Sequence, residues 1–200
     1  MSELKALHEQ IRVCTRCKLH TGRTNAVPGE GPEQADIMFI GEGPGFHEDK
    51  QGRPFVGAAG QFLEELLASI DLSREQVFIT NVVKCRPPAN RDPEPEEIEA
   101  CRGYLDRQIE LIQPKMVVTL GRFSMARYFT NAKISQIHGQ PKKMDGVIYY
   151  PMYHPAAALH QPSLRRTVQE DMKRIPQLLA DIDRLAEEEP PENVEQLSLF

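Results

Sequence analysis

The feature that most constrains the fold of this 200-residue chain is a set of four short apolar runs. Each run is followed by a helical pattern or by a turn that contains glycine or proline. The runs are residues 35–41, 77–81, 116–121 and 147–154. Runs of this length, bounded by turn residues, are typical of buried strands. Strands that alternate with helices form sandwiches in which helices cover a largely parallel sheet. We therefore predict a three-layer α/β/α sandwich around a central, mostly parallel, four-stranded sheet.

Helical periodicity accounts for most of the chain between and after these runs. Apolar residues at helical spacing predict a helix over 62–70 and another over 98–112, and the second begins with the proline and acidic residues that a first turn favours. Shorter or interrupted patterns predict a helix over 122–129 and a long last helix over 163–186, kinked at Pro176.

The most unusual segments directly follow the predicted strands. "GEGPG" (41–45) follows the first strand, Asn81 ends the second, Gly121 ends the third, and "HPAAAL" (154–159) follows the fourth. Parallel sheets bind their ligands beyond the carboxyl ends of the strands. The sequence therefore predicts one site at this rim, built from four segments that are distant along the chain.

The glycines of "GEGPG" do not predict a dinucleotide site. Their spacing is GxGxG and not GxGxxG, and residues 46–60 are polar and interrupted by glycine and proline. We therefore expect no helix N-terminus next to these glycines. Their role would be to let the backbone approach a planar ligand closely.

Three residues near the predicted rim each have a structural and a functional interpretation. Phe55 either fills the core or offers a face on which a base stacks. Asn81 either caps a strand or reads the edge of a base, because an amide carries one donor and one acceptor group and so distinguishes uracil from cytosine. His154, which precedes a proline in a turn, is either structural or catalytic.

The four cysteines leave several interpretations open. Cys14 and Cys17 form a CxxC pair, whereas Cys85 and Cys101 are single and distant. The N-terminus is too polar for a secretory signal and no apolar run is long enough to span a membrane, so we expect a cytoplasmic protein, in which a disulfide is disfavoured. The spacing permits an iron–sulfur cluster or a zinc site. Alternatively, Cys85 and Cys101 are core residues and the CxxC pair is incidental.

The net charge of -5 comes from the end of the chain. Residues 187–200 contain glutamates but no lysine or arginine, which leaves 24 basic and 24 acidic groups in residues 1–186. An acidic chain of this kind is not excluded from binding nucleic acid, because what matters is whether the basic groups share one face. We expect one domain over 1–186 and a disordered acidic tail over 187–200.

Taken together, these segments resemble the family 4 uracil-DNA glycosylases, the iron–sulfur branch of that superfamily, over about residues 10–175. The resemblance rests on "CTRC", "GEGPGFHEDKQGRPFVG", "ITNVVKCRPP", Cys101 and "YHPAAAL". It implies a monomeric base excision repair enzyme that removes uracil from single- or double-stranded DNA. It also implies a structural [4Fe-4S] cluster held by Cys14, Cys17, Cys85 and Cys101. Since no lysine nucleophile is evident, we expect a monofunctional enzyme that leaves an abasic site.

The resemblance also implies a role for each pocket residue. The base would be bordered by backbone, stacked on an aromatic ring, read at its N3 and O4 edge, and bonded at O2 as negative charge develops. One carboxylate would position water or stabilise the sugar cation, and another would sit where the methyl group of thymine would intrude. The backbone at Gly41, Glu42 and Gly43 would border the base. Phe55 would stack on it, Asn81 would read its edge, and His154 would bond O2. Glu42 is also the first of the two carboxylates, and Glu48 is the second.

Two further segments would contact macromolecules. "HPAAALHQPSLRR" would form the loop that enters the duplex, with Leu159 or Leu164 as wedges and Arg165 and Arg166 on phosphates. The terminal "QLSLF" resembles the peptide by which bacterial proteins bind the β sliding clamp, which would place the protein at the bacterial nucleoid; alternatively, it docks on its own domain or frays. Its anchor residues would be Gln196, Leu197, Leu199 and Phe200.

Two other functions compete with glycosylase activity. One is a catalytically silent iron–sulfur module that binds DNA, and the presence of Glu42, Phe55, Asn81 and His154 disfavours it. The other is a zinc-stabilised nucleotide-binding protein, which metal analysis would distinguish.

Overall fold

The computed structural model describes residues 2–184 of the chain. Its strands are β1 (Ile37–Gly41), β2 (Phe78–Asn81), β3 (Met116–Leu120), β4 (Lys142–Met144) and β5 (Val147–Met152). Its α-helices are α1 (Glu3–Arg12), α2 (Phe46–Gln51), α3 (Ala58–Ala68), α4 (Pro95–Ile112), α5 (Arg122–Ala126), α6 (Ile134–Ile137), α7 (Pro155–His160), α8 (Leu164–Lys173) and α9 (Ile175–Ala180).

The strands form one mostly parallel sheet in the order β2-β1-β3-β5-β4. β1 pairs in parallel with β2 and β3, and β3 pairs in parallel with β5. The predicted α/β class and the four predicted strands are confirmed, but the strand count was wrong: the antiparallel β4 adds a fifth strand at the edge. The missed signal is the turn Asp145–Gly146, whose left-handed φ values of 50° and 77° suit a two-residue hairpin.

The core consists of two apolar clusters, one on each face of the sheet. Helices α3, α8 and α9 pack on one face, against side chains such as Phe39 and Val118. Helices α1 and α4 pack on the other face, against Met38 and Ile40. Neighbouring residues of β1 thus point to opposite clusters, as strand geometry requires, and the sheet is the middle layer of the predicted sandwich.

The predicted helices are confirmed over α3 and α4, and the helix predicted over 122–129 is the shorter α5, which ends at Ala126. Three other details differ. The last helix is two helices, because α8 ends before Pro176, which lies in the first turn of α9. α1 was missed although Leu4, Leu7 and Ile11 lie at helical spacing. The expectation that no helix adjoins "GEGPG" was wrong: Gly45 is the N-cap of the short α2.

The predicted tail (187–200), with its clamp-like peptide, lies outside the described residues. None of the helices within residues 2–184 is long and apolar enough to cross a membrane.

Candidate active site

The predicted rim carries a pocket of about 640 Å³. It opens at the carboxyl ends of the strands, and three separate segments, at or after the ends of β1, β2 and β5, contribute to its wall. The prediction of four segments was wrong: Gly121, after β3, does not line the pocket but lies so close to His154 that a Cβ there would stand 3.1 Å from the Cβ of that residue. The sequence-predicted residues that line it are Glu42, Gly43, Glu48, Phe55, Asn81 and His154.

Gly41, the last residue of β1, lies beneath this pocket. A Cβ atom built on it would stand 2.4 Å from Asn81 Oδ1 and 2.7 Å from the ring of Phe55. Both distances are far inside van der Waals contact, so no other residue fits here without displacing one of these groups. The glycine therefore allows the amide and the aromatic ring to meet at one point of the pocket.

Asn81 ends β2 and is only 1% exposed. Its Oδ1 has no hydrogen-bond partner within residues 2–184. A buried acceptor without a partner costs about 1–3 kcal/mol, so such an atom calls for an explanation. Because Asn81 lines the pocket, a ligand that donates an N–H or O–H group there would satisfy it.

A buried lysine holds the end of β2 in place. The Lys84 Nζ donates to Asn81 O at 2.8 Å, to Thr80 Oγ1 at 2.6 Å and to Gln108 Oε1 at 2.6 Å. Burial lowers the pKa of Lys84 to about 7. The same side chain borders the cavity between the cysteines, so it joins that cavity to the backbone of Asn81. Sequence reasoning missed this residue.

Phe55 adopts a left-handed backbone conformation, with φ of 52°. Three neighbours fix it there. Glu48 Oε1 accepts hydrogen bonds from the N–H groups of Val56 and Gly57, each at 2.8 Å, and Arg74 donates to the Phe55 carbonyl at 3.0 Å. Gly60 packs so closely that a Cβ there would lie 1.9 Å from the same oxygen. The ring is thus held in position before any ligand binds.

The rings of Phe55 and His154 stack with centroids 5.5 Å apart and planes inclined by 25°. A planar base between them would need two van der Waals contacts, or about 7 Å in total. A base on Phe55 must therefore use the part of the ring that His154 leaves open, which brings the edge of the base to the imidazole.

The structure defines the protonation state of His154. This residue is the N-cap of α7, and its Nδ1 accepts a hydrogen bond from the Ala156 N–H at 3.1 Å. A nitrogen that accepts carries no proton, so the neutral ring has its proton on Nε2. Burial lowers the pKa of His154 to about 4. His154 is therefore a neutral N–H donor at physiological pH.

Glu42 lines the pocket directly after β1. Burial, and secondarily the charge of Asp92, raise the pKa of its carboxyl group, and the charge of Arg122 opposes them. A carboxylate with a raised pKa is a stronger base. The position suits a group that takes a proton from water.

The four cysteines lie around one small cavity behind the pocket, and none of them forms a disulfide. Burial raises the pKa of Cys101 to about 11 and that of Cys85 above its usual value. Two donors reach the sulfurs: Arg23 Nη1 lies 3.1 Å from Cys85 Sγ, and the N–H of Arg16 lies 3.4 Å from Cys14 Sγ. Hydrogen-bond donors at these positions would stabilise the negative charge of a thiolate.

No three histidine, cysteine, aspartate or glutamate side chains within residues 2–184 are arranged to hold a single metal ion. Four cysteine thiols around one cavity are a ligand set used both by structural zinc sites and by iron–sulfur clusters.

The predicted DNA loop spans α7 and the start of α8. Leu159 is 40% exposed, whereas Leu164 packs against the apolar cluster that contains α3. Arg165 bonds Glu65 at 2.6 Å and covers the ring of Phe62. The exposed Arg166 bonds Glu170 at 2.7 Å. Leu159 is thus the more exposed of the two wedge candidates. Each arginine would have to leave an ion pair before it could bind a phosphate.

The pocket is also lined by several residues that sequence reasoning did not single out. They lie in the quoted loops, where a side chain's direction cannot be read from spacing. Asn90, for example, has a left-handed φ of 56°, which turns the "PPAN" loop toward the site. These residues are Phe46, His47, Asn90, Arg91 and His160.

The chain is similar to a known family over most of its length. The model of the uracil DNA glycosylase superfamily matches residues 28–179. A type-4 uracil-DNA glycosylase of Sulfurisphaera tokodaii is 52% identical over 188 residues, covering 89% of this chain and 86% of that protein.

Two further relatives carry the same name. The one from Archaeoglobus fulgidus is 48% identical over 188 residues, covering 89% of this chain and 94% of that protein. The one from Thermotoga maritima is 46% identical over 176 residues, covering 86% of this chain and 92% of that protein.

Proposed function

The chain belongs to the uracil-DNA glycosylase superfamily, and we propose that it hydrolyses the bond between uracil and deoxyribose in DNA. The observation that carries this proposal is the unpaired Oδ1 of Asn81, which shares the pocket with an aromatic ring and a neutral histidine. Together these groups match the face, the N3–H edge and the O2 atom of one uracil ring.

Recognition requires the nucleotide to leave the helix. Flipping costs a few kcal/mol, which stacking on Phe55 and two hydrogen bonds to Asn81 offset. Asn81 Oδ1 accepts from N3–H while its Nδ2 donates to O4. Cytosine has the opposite pattern on this edge and would leave the buried amide mispaired. Glu48, by bonding the loop after Phe55, fixes the wall that faces the 5-position, where thymine carries its methyl group.

The bond that breaks joins C1′ of the sugar to N1 of uracil. Its electron pair leaves with the base, so negative charge grows on O2 while the sugar becomes cationic. The Nε2–H of His154 donates to O2, and a preorganised donor of this kind is most effective in a water-poor pocket. Glu42 takes a proton from the attacking water, whose oxygen bonds to C1′. The uracil anion takes up the proton that the water lost, so the products are free uracil and an abasic site.

We propose further that Cys14, Cys17, Cys85 and Cys101 hold a [4Fe-4S] cluster. Bound there, it would supply a structural link between the segment after α1, the loop after β2 and α4. The convergence of four thiols and the donors from Arg23 and Arg16 support this. Zinc without iron or sulfide in the purified protein would contradict it.

The decisive experiment measures uracil release from oligonucleotides with one uracil opposite guanine, opposite adenine, or unpaired. Release followed by strand scission only after alkali treatment is the expected result. Folded, iron-loaded protein that releases no uracil would instead favour a silent DNA-binding module.

The substitution Asn81→Asp is expected to lower kcat/KM for uracil by about 100-fold or more and to create release of cytosine, because a protonated carboxyl group donates to cytosine N3 and accepts from its amino group. The measurement compares both bases in matched oligonucleotides. Asn90→Asp, an amide change at the pocket wall, is the control and should release no cytosine. If Asn81→Asp kept the specificity for uracil, Asn81 would not have the proposed role in base recognition.

We also propose that Gln196, Leu197, Leu199 and Phe200 anchor the chain to a bacterial β sliding clamp. The support is the sequence "QLSLF", which follows a segment with five glutamates, two prolines and no lysine or arginine over residues 187–195. Truncation after Glu195 should abolish binding to purified clamp and leave uracil release from a short oligonucleotide unchanged. Equal clamp binding by the truncated and full chains would rule the tether out.

A further inference from the structure

Phe46 is an exposed aromatic residue that the proposed catalysis does not use. It is one of three large apolar side chains exposed within residues 2–184, and 44% of its surface is accessible. It opens α2 and lines the same pocket as Asn81 and His154. Phe55, by contrast, is buried. The pocket therefore has one fixed ring inside and a second, accessible ring in its wall.

Two cations lie against this second ring. Lys50 Nζ is 4.5 Å from the ring centroid, and Arg86 Cζ is 5.1 Å from it. Lys50 comes from the same helix, whereas Arg86 follows the cysteine after β2. Asn90 Oδ1 accepts from the Nε of Arg86 at 2.7 Å.

Neither cation has a carboxylate partner within residues 2–184, unlike Arg122, Arg165 and Arg166, which are paired. A phosphate can bind such a side chain directly, because no existing ion pair has to be broken first. The ring and its two cations thus offer a base-sized apolar face together with phosphate-binding charge.

The energies favour exchanging the cations for a base. Stacking of a base on an aromatic ring is a stronger interaction than a cation–π contact at an exposed site, because the base covers a whole face of the ring. A base that displaces a cation from the ring is therefore favoured. The long lysine and arginine side chains can then turn to the phosphates on either side of that base.

We propose that Phe46, Lys50 and Arg86 form a subsite for single-stranded DNA, in which the ring stacks the base next to the flipped uracil. The subsite deepens the proposed function and rests on it. A neighbouring base in a duplex is already stacked and paired, whereas on a single strand its face is free. The subsite therefore raises activity on unpaired uracil in particular.

The first test compares the wild type with Phe46→Ala on two single-stranded substrates, with adenines or with abasic residues on both sides of uracil. On the adenine-flanked strand the variant should lose about 8-fold in kcat/KM, which corresponds to the middle of the stacking range less the middle of the cation–π range. On the abasic-flanked strand the two proteins should agree within about twofold, since no base remains to stack. Phe46→Trp should retain the wild-type preference.

The control is Phe123→Ala, which removes another ring that has an arginine against it but does not line the pocket. It should leave both substrates unchanged. Equal losses by Phe46→Ala on both substrates, or no loss on either, would overturn the subsite. A change of oligomeric state in the variant, without the substrate contrast, would assign Phe46 to a protein interface instead and would also overturn it.

A second test does not depend on catalysis. Binding of a uracil-free single-stranded oligonucleotide is measured by fluorescence anisotropy at several salt concentrations. Lys50→Gln and Arg86→Gln should each reduce the slope of log Kd against log salt by about 0.7, the value for one phosphate contact on a single strand. Unchanged slopes in both variants would overturn the phosphate contacts. A wild type that binds in this way but releases no uracil would refute the proposed function and leave the subsite intact.

Discussion

Replacing His154 with alanine is expected to lower kcat for uracil release by about 100- to 1000-fold, the usual cost of removing one donor to a developing oxyanion. Affinity for uracil-containing DNA should change little, because the donor acts most strongly when O2 carries charge. Single-turnover cleavage and equilibrium binding, measured on the same oligonucleotide, separate the two effects. His160→Ala is the matched control, since this histidine lines the same pocket at the far end of α7. An equal loss in both variants would contradict the assignment.

The pH profile provides an independent check on the same residue. Burial lowers the pKa of His154 to about 4 from the ordinary 6.5, and the Ala156 N–H donates to its Nδ1. We expect no decline of kcat as the pH rises through 6.5, whereas a cationic histidine would lose activity there. The folded state binds fewer protons than the unfolded chain between pH 4 and 6.5, so the contribution of His154 to stability is lost as the pH falls through that window.

Substitution of Cys101 by alanine is expected to remove the proposed cluster and lower the melting temperature by roughly 10 °C, because a structural metal centre contributes several kcal/mol to folding. Cys101 is buried in α4, whereas Cys14 and Cys17 follow α1, so its loss unlinks distant parts of the chain. Iron analysis, visible absorbance and thermal unfolding measure the effect.

The control for this change is Ile112→Val, which removes one methyl group from the buried face of the same helix. Such a deletion costs about 0.5–1.5 kcal/mol. A Cys101 variant that loses no more stability than this control, or that keeps its full iron content, would contradict a structural cluster.

The sheet and its rim were predictable from sequence because buried parallel strands are apolar runs whose carboxyl ends meet at one edge. Asn81 could be placed at this edge because it ends a strand, and His154 because it follows one. The edge strand β4 escaped because its lysines and its short length do not resemble a buried run. The short α2 escaped because every residue after Phe46 is polar and a glycine stands at each end.

The chemical state of the site could not be read from sequence. The tautomer of His154 depends on one backbone N–H two residues away, which becomes a donor only because α7 starts there. The unpaired Oδ1 of Asn81 and the hydrogen bonds of Lys84 depend on atoms that tertiary packing brings together. Periodicity reports which face of an element is buried but not which atoms on that face lack a partner.

The left-handed backbone of Phe55 ties the stability of the core to the shape of the pocket. A non-glycine residue in this region gives up about 1–3 kcal/mol of folding free energy, and Glu48, Arg74 and Gly60 all hold the segment in this conformation. A glycine would relieve the strain, but it would also remove a ring that packs in the buried apolar cluster, and loss of a buried phenylalanine costs about 3–5 kcal/mol. The packing of the ring therefore offsets the strain of its own backbone, and a substitution here changes the core and the pocket together.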